Sequence, residues 1–140
     1  MSQISESLNL AHKKSDFSCG KEMLDSYIHK QANQDVKRKL SACFVIIEKE
    51  TNLIKGYYTL SNNTIPLEFV PIQIQKKLPR SYKSIPTILL GRLAIDNKFQ
   101  GQGIGKIILI DALKRTYEIS KSIGSFAVVV DPIDDDAEKF

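Results

Sequence analysis

The stretch best suited to binding chemistry is Gln100-Gly101-Gln102-Gly103-Ile104-Gly105-Lys106, where three glycines run straight into a helical pattern. Glycines let the backbone turn sharply and aim several N–H groups at one point, and the positive end of the next helix faces the same place. That combination suits a pyrophosphate bound without metal. A Walker loop requires Gly, four residues, then Gly-Lys-Ser/Thr. Position 100 is Gln, and Ile107, which cannot hold magnesium, follows Lys106. A dinucleotide fingerprint requires glycines at relative positions one, three and six. Gly101 and Gly103 fit, but Lys106 takes the sixth place, and no repeated strand–helix unit lies upstream. What remains is Q-x-x-G-x-G on Gln100, Gly103 and Gly105. Taken alone, these six residues fit a plain strand-to-helix turn equally well.

The flanking elements must place this loop. The run from Thr87 to Asp96 is the most apolar strand and is expected to be central and buried. A helix follows from Gly103 to about Ser122, with Ile104, Ile107, Ile108, Ala112 and Leu113 facing inward and Gly124 ending it. Ser125 to Asp131 reads as another strand, so the unit is a right-handed crossover joining parallel neighbours. Upstream, residues 17–34 read as one helix, capped by Ser18, with Met23, Leu24, Tyr27 and Ile28 on one face. Residues 41–50 and 53–62 form a hairpin turned by Glu50-Thr51-Asn52, and Gly56 marks a bulge or a close backbone approach. Pro66, Pro71, Pro79 and Pro86 punctuate a short helix flanked by loops. After Asp131 a turn leads into the first turn of a helix, with Asp134 or Asp135 as its cap.

The 140 residues suit one domain with one core. No apolar run reaches membrane-spanning length and no signal-peptide core opens the chain, so a cytoplasmic protein without membrane contact is expected. Cys19 and Cys43 lack metal-ligand spacing, and His12 and His29 are isolated; neither a disulfide nor a metal is assigned. The net charge of +4 says little alone. Its distribution says more. Lys37, Arg38 and Lys39 form one basic cluster; Lys76, Lys77, Arg80 and Lys83 form another, with Tyr82 between; and the C-terminal end is acidic. Arg92 stands out, because a charge in so apolar a strand is costly unless paired or useful. It belongs either to an acceptor pocket or to a structural ion pair.

Gly91-Arg92-Leu93-Ala94-Ile95-Asp96, followed by Phe99-Gln100-Gly101-Gln102-Gly103-Ile104-Gly105-Lys106, resembles motif A of the GNAT acyl-CoA N-acetyltransferases. The resemblance extends to the toxin branch of that family through Phe17 to Gly20, Leu24 to Ile28, Gln34 to Arg38, Gly56 to Ser61, Leu78 to Arg80 and Leu89 to Asp96. It covers nearly the whole chain. It implies an α/β GNAT fold, a mixed central sheet with helices on both faces, as a single domain over residues 1–140. Acetyl-CoA would enter a V-shaped opening between strands 87–95 and 125–130. The backbone of Leu93, Ala94 and Ile95 would pair with the pantetheine arm. The loop from Gln100 through Gly101, Gln102, Gly103, Ile104 and Gly105 to Lys106 would hold the pyrophosphate, with Lys106 adding charge.

In the toxin branch the acceptor is the α-amino group of aminoacyl-tRNA, whose acetylation stops translation. An α-amine, with a pKa of roughly 7.7–8.0, is partly neutral near pH 7, so the lack of an obvious dedicated base is tolerable. Lys37, Arg38, Lys77, Arg80 and Lys83 would meet tRNA phosphates, and Arg92 the acceptor. The resemblance also implies a ribbon-helix-helix antitoxin as partner, and a homodimer. One departure stands out. In the family the last helix carries a Phe-Tyr pair followed by Gly-Phe and closing strands, and that Tyr protonates the departing thiolate. Here Phe140 is the last residue. The expectation is a C-terminally truncated domain with impaired transfer, no assignable catalytic residue and no closing strands. The alternatives are an inactive chain that retains CoA or antitoxin binding, and transfer to a small amine or protein N-terminus, against which the basic segments weigh.

Overall fold

The computed structural model describes residues 4–130. Five strands, β1 (Glu6–Ser7), β2 (Ala42–Ile47), β3 (Ile54–Pro66), β4 (Ser84–Ile95) and β5 (Ala127–Val130), lie in one sheet in chain order. β1 to β4 pair antiparallel and β5 runs parallel to β4, so the sheet is mixed as expected. The expected turn after Asp131 and its cap lie outside the described residues.

Alternation along the strands sends side chains to two faces, and each face is covered by helices. Cys43, Val45, Tyr57 and Ala94 pack with Leu24, Tyr27, Ile28 and Ala32 under α1 (Glu22–Ser26) and α2 (Ala32–Lys37). Phe44, Tyr58, Leu60, Ile88 and Leu90 pack with Ile108 and Ala112 of α4 (Ile104–Ser120) on the other face. A short α3 (Ile72–Gln75) stands between β3 and β4.

The first helical region differs from its expected form. It starts at Glu22 behind Lys21, not behind Ser18, and a π-helical segment (Tyr27–Gln31) joins α1 to α2. The Ala32 N–H reaches back five residues to the Tyr27 carbonyl. The wider turn keeps Leu24, Tyr27, Ile28 and Ala32 all on the core side, while Met23 is 72% exposed. On α4 the inward face also differs. Ile108 and Ala112 are buried and Ile104 is half-buried, but Ile107 and Leu113 are 48% and 44% exposed. Asp111 and Thr116 take the inward places instead, so the buried stripe is partly polar and hydrophobicity alone misplaces it. Gly124 does not end the helix. The last helical residue is Ser120, capped by Lys121 in right-handed conformation.

Gly56 fulfils both readings of its place. β3 carries a bulge beside it, where Ile46 faces Gly56 but Ile47 faces Ile54. A Cβ there would lie 2.8 Å from Ile95 Cδ1 and 3.0 Å from the Ala94 carbonyl oxygen. Gly56→Val is therefore expected to overpack this contact and destabilise the domain by about 1–3 kcal/mol. An unchanged midpoint in a thermal melt would contradict the close approach.

Candidate functional site

The site begins with a second bulge, on β4. Thr59 faces Arg92 while Leu60 faces Leu90, so Gly91 is the extra residue. A bulge bends its strand and re-aims the side chains beyond it. It turns Arg92 to the α1–α2 face, where the guanidinium lies 3.6 Å from the centre of the Tyr27 ring. Tyr27 in turn donates to Asp35 Oδ2 at 2.9 Å, and burial with this carboxylate bond pushes its phenol up to about 12. Among the described residues the contact of Arg92 is thus a cation stacked on an aromatic ring and not an ion pair.

Past the bulge β4 continues on its β3 side, with Leu93, Ala94 and Ile95 facing Tyr58, Tyr57 and Gly56. Its described pairing with β5 runs only from Thr87–Ala127 to Leu90–Val130. Among the described residues, β4 past Leu90 has no strand partner on the side away from β3, where the Ile95 carbonyl accepts from the Gln100 amide.

The glycine loop follows directly. A 3-10 turn (Asn97–Phe99) leads to Gly101 and Gly103, both in the left-handed region at φ 78° and 77°. Gly103 caps α4, and the first intrahelical bond runs from the Ile107 N–H to the Gly103 carbonyl at 3.3 Å. The N–H groups of Ile104, Gly105 and Lys106 thus precede the helical ladder, as at any helix start. No atom lies within 4 Å of a Cβ built at Gly101 or Gly103, so both glycines border open space. Lys106 and Gln102 are exposed.

The loop is clamped from behind, by contacts that the sequence reading missed. Asp96, 3% exposed, accepts from the Lys98 N–H at 2.8 Å and the Ser18 N–H at 3.0 Å. The Asn97 N–H donates to the Ser18 carbonyl at 2.8 Å. The Gln100 amide donates to the Ile95 carbonyl (2.9 Å), the Cys19 carbonyl (3.2 Å) and Asn97 Oδ1 (3.2 Å). Its amide is therefore held by the protein, although the residue is exposed. An Asp two residues before a backbone N–H it can accept is a readable turn signal; its link to Ser18, 78 residues away, is not.

The basic residues belong to segments on the other side of the Gly91 bulge. Lys37, Arg38 and Lys39 precede β2, which starts opposite Leu60, at the level of Leu90. Lys76, Lys77, Arg80 and Lys83 precede the start of β4 at Ser84, six residues further from the loop, or about 20 Å of strand. All seven are exposed, as is Tyr82. A groove of about 370 Å³ borders this end, lined by Lys39, Leu40, Ala42, Phe44, Leu60, Ile88 and Ile119 among others. The glycine loop thus follows β4, whereas Lys83 directly precedes it and Lys39 shares the groove with Leu60 and Ile88, on the other side of the Gly91 bulge.

No family model matches the chain. A tRNA-acetylating toxin of Mycobacterium tuberculosis is 34% identical over 124 residues, spanning 89% of this chain and 72% of that protein. The chain belongs to the GNAT-type toxins of toxin–antitoxin systems. A probable toxin TacT of Sinorhizobium fredii is 27% identical over 120 residues, and the chain spans 66% of its length. Among solved structures, a tyrosine-to-phenylalanine mutant of KacT superposes with TM-score 0.91 at 27% identity, covering 99% of this chain and 84% of KacT. AtaT complexed with acetyl-methionyl-tRNAfMet gives 0.89 at 28% identity, covering 97% and 81%. An AtaT mutant bound to the C-terminus of the antitoxin AtaR and acetyl-CoA gives 0.77 at 26%, covering 97% and 79%. The mixed sheet with helices on both faces is the GNAT fold. No helix among the described residues is long and apolar enough to cross a membrane.

Proposed function

We propose that this chain, as a single domain over residues 1–140, binds acetyl-CoA and transfers its acetyl group to the α-amino group of an aminoacyl-tRNA in the cytoplasm, blocking translation. The observation that carries the reading is the order of features along β4. Basic surface precedes it, the bulge at Gly91 interrupts it, and the glycine loop with the open start of α4 follows it. A donor held at one end and a tRNA at the other meet near Gly91.

The residues fit acetyl-CoA, which when bound supplies an acetyl thioester. The N–H groups of residues 101–106 and the positive end of α4 hold the pyrophosphate, with Lys106 beside them. The backbone of Leu93 to Ile95 takes the pantetheine amides as a further strand. Lys37, Arg38, Lys77, Arg80 and Lys83 hold tRNA phosphates, a contact that weakens with salt. Arg92, fixed on Tyr27, lines the acceptor side of the bulge. The acceptor amine, with a pKa of roughly 7.7–8.0, supplies its own neutral form near pH 7. The same fold takes a ribbon-helix-helix antitoxin as partner and forms a homodimer.

The test offers radiolabelled acetyl-CoA to the purified protein with charged tRNA, uncharged tRNA and spermidine. Label is expected in the aminoacyl group of charged tRNA, less at higher salt. The preference, not the absolute rate, decides. Spermidine labelled in preference to charged tRNA would overturn the choice of acceptor.

A further inference from the structure

We infer that Asp96 and Gln100 are positioning residues that aim the amide cradle at the pyrophosphate by binding it to the N-terminal segment Ser18–Gly20. This rests on the acetyl-CoA reading above. The Asp96 side chain is buried, and the amide of the exposed Gln100 is spent on the Ile95 and Cys19 carbonyls and on Asn97 Oδ1. The Asp96 carboxylate takes one N–H from its own turn, Lys98, and one from Ser18, and the Asn97 N–H returns a bond to the Ser18 carbonyl. Gln100 ties the last strand carbonyl, Ile95, to the Cys19 carbonyl. The N-terminal segment is itself fixed, since the Cys19 N–H donates to Asp25 Oδ1 at 2.8 Å and Gly20 adopts φ 90° against Asn97. The two glycines beyond Gln100 sit at positive φ, and a Cβ at either would meet nothing within 4 Å. The direction of their N–H groups is therefore set by what holds Ile95 to Gln100. A carboxylate taking two backbone N–H groups is a strong anchor. Asn at position 96 offers one acceptor oxygen and turns an NH2 donor toward a second N–H donor.

The experiment titrates CoA and, separately, pantetheine into the isotope-labelled protein, read by amide chemical shifts. Pantetheine lacks the pyrophosphate but keeps the arm that pairs with Leu93 to Ile95. In Asp96→Asn and Gln100→Leu, the CoA dissociation constant is expected to rise about tenfold or more, while that for pantetheine stays within about twofold. Shift changes at residues 103–106 on CoA addition should shrink in both variants. Equal loss of CoA and pantetheine binding would mean a general structural role and overturn the inference, as would unchanged CoA binding. If Asp96→Asn does not fold, Gln100→Leu decides alone. A wild-type protein that binds no CoA would remove the acetyl-CoA reading itself, and this inference with it, an outcome distinct from the variant results.

Discussion

Asp111→Ala is expected to destabilise the domain by about 3 kcal/mol and lower its thermal midpoint by roughly 10 °C. Asp111 is 4% exposed in the middle of α4. Its Oδ1 accepts from the Ile4 N–H at 2.9 Å, and its Oδ2 accepts from the Tyr58 hydroxyl at 2.8 Å and from the Ser5 hydroxyl. Arg115, one turn on, donates to the Tyr58 hydroxyl at 2.9 Å and to the Ser5 carbonyl at 3.1 Å, with its guanidinium 3.9 Å from the centre of the Phe44 ring. One carboxylate therefore joins the segment entering β1 to β3 and α4. Its removal leaves several polar groups without their acceptor in a site with little water, and each such group costs about 1–3 kcal/mol. Tyr58→Phe removes one donor from a carboxylate that keeps others and one acceptor from Arg115, which keeps Ser5, so it should cost less, about 1–2 kcal/mol. Thermal melts of the two variants check the order. If Tyr58→Phe proves the costlier, the carboxylate is not the hub of the network.

The same network explains why part of the fold was not legible in the sequence. Period and composition located β2, β3, β4, α4 and β5, because their apolar residues bury against one another over long runs. β1 has only Glu6 and Ser7, both exposed, and its place comes from pairing with β2 and from the Ile4 and Ser5 bonds to a helix more than a hundred residues away. Nothing local records that. The inward face of α4 is as expected at Ile108 and Ala112 but not at Ile107 and Leu113, which face outward while Asp111 faces the core as a satisfied polar group. The π-helical segment at Tyr27–Gln31 is likewise set by tertiary packing, which seats Tyr27 beneath Arg92. The glycine loop was legible because positive φ leaves a residue-type signature, at Gly101 and Gly103. Its supports were not, because Ser18 and Cys19 act through backbone atoms that any residue would supply.

Gly105→Ala is expected to leave the fold at least as stable and yet weaken CoA binding about tenfold, which separates the cradle's chemistry from its folding. Gly105 lies in the first turn of α4 and is not among the glycines with positive φ. Ala is favoured over Gly inside a helix by about 1 kcal/mol, so the folded state loses nothing. The new Cβ, however, tilts toward the helix N-terminus, as every helical Cβ does, into the space before the N–H groups of residues 104–106. Gly103→Val makes the complementary case. At φ 77° a β-branched residue costs roughly 1–2 kcal/mol, which the loop relieves by abandoning the conformation that aims its amides. That variant should lose stability and CoA affinity together, the affinity by about tenfold to a hundredfold. Calorimetric titration of CoA beside a thermal melt reads both quantities. If Gly105→Ala binds CoA as tightly as the wild type, the backbone at residue 105 is not approached closely by the ligand. The pyrophosphate would then have to lie nearer Gly101 and Gly103, where the chain turns before the helix begins.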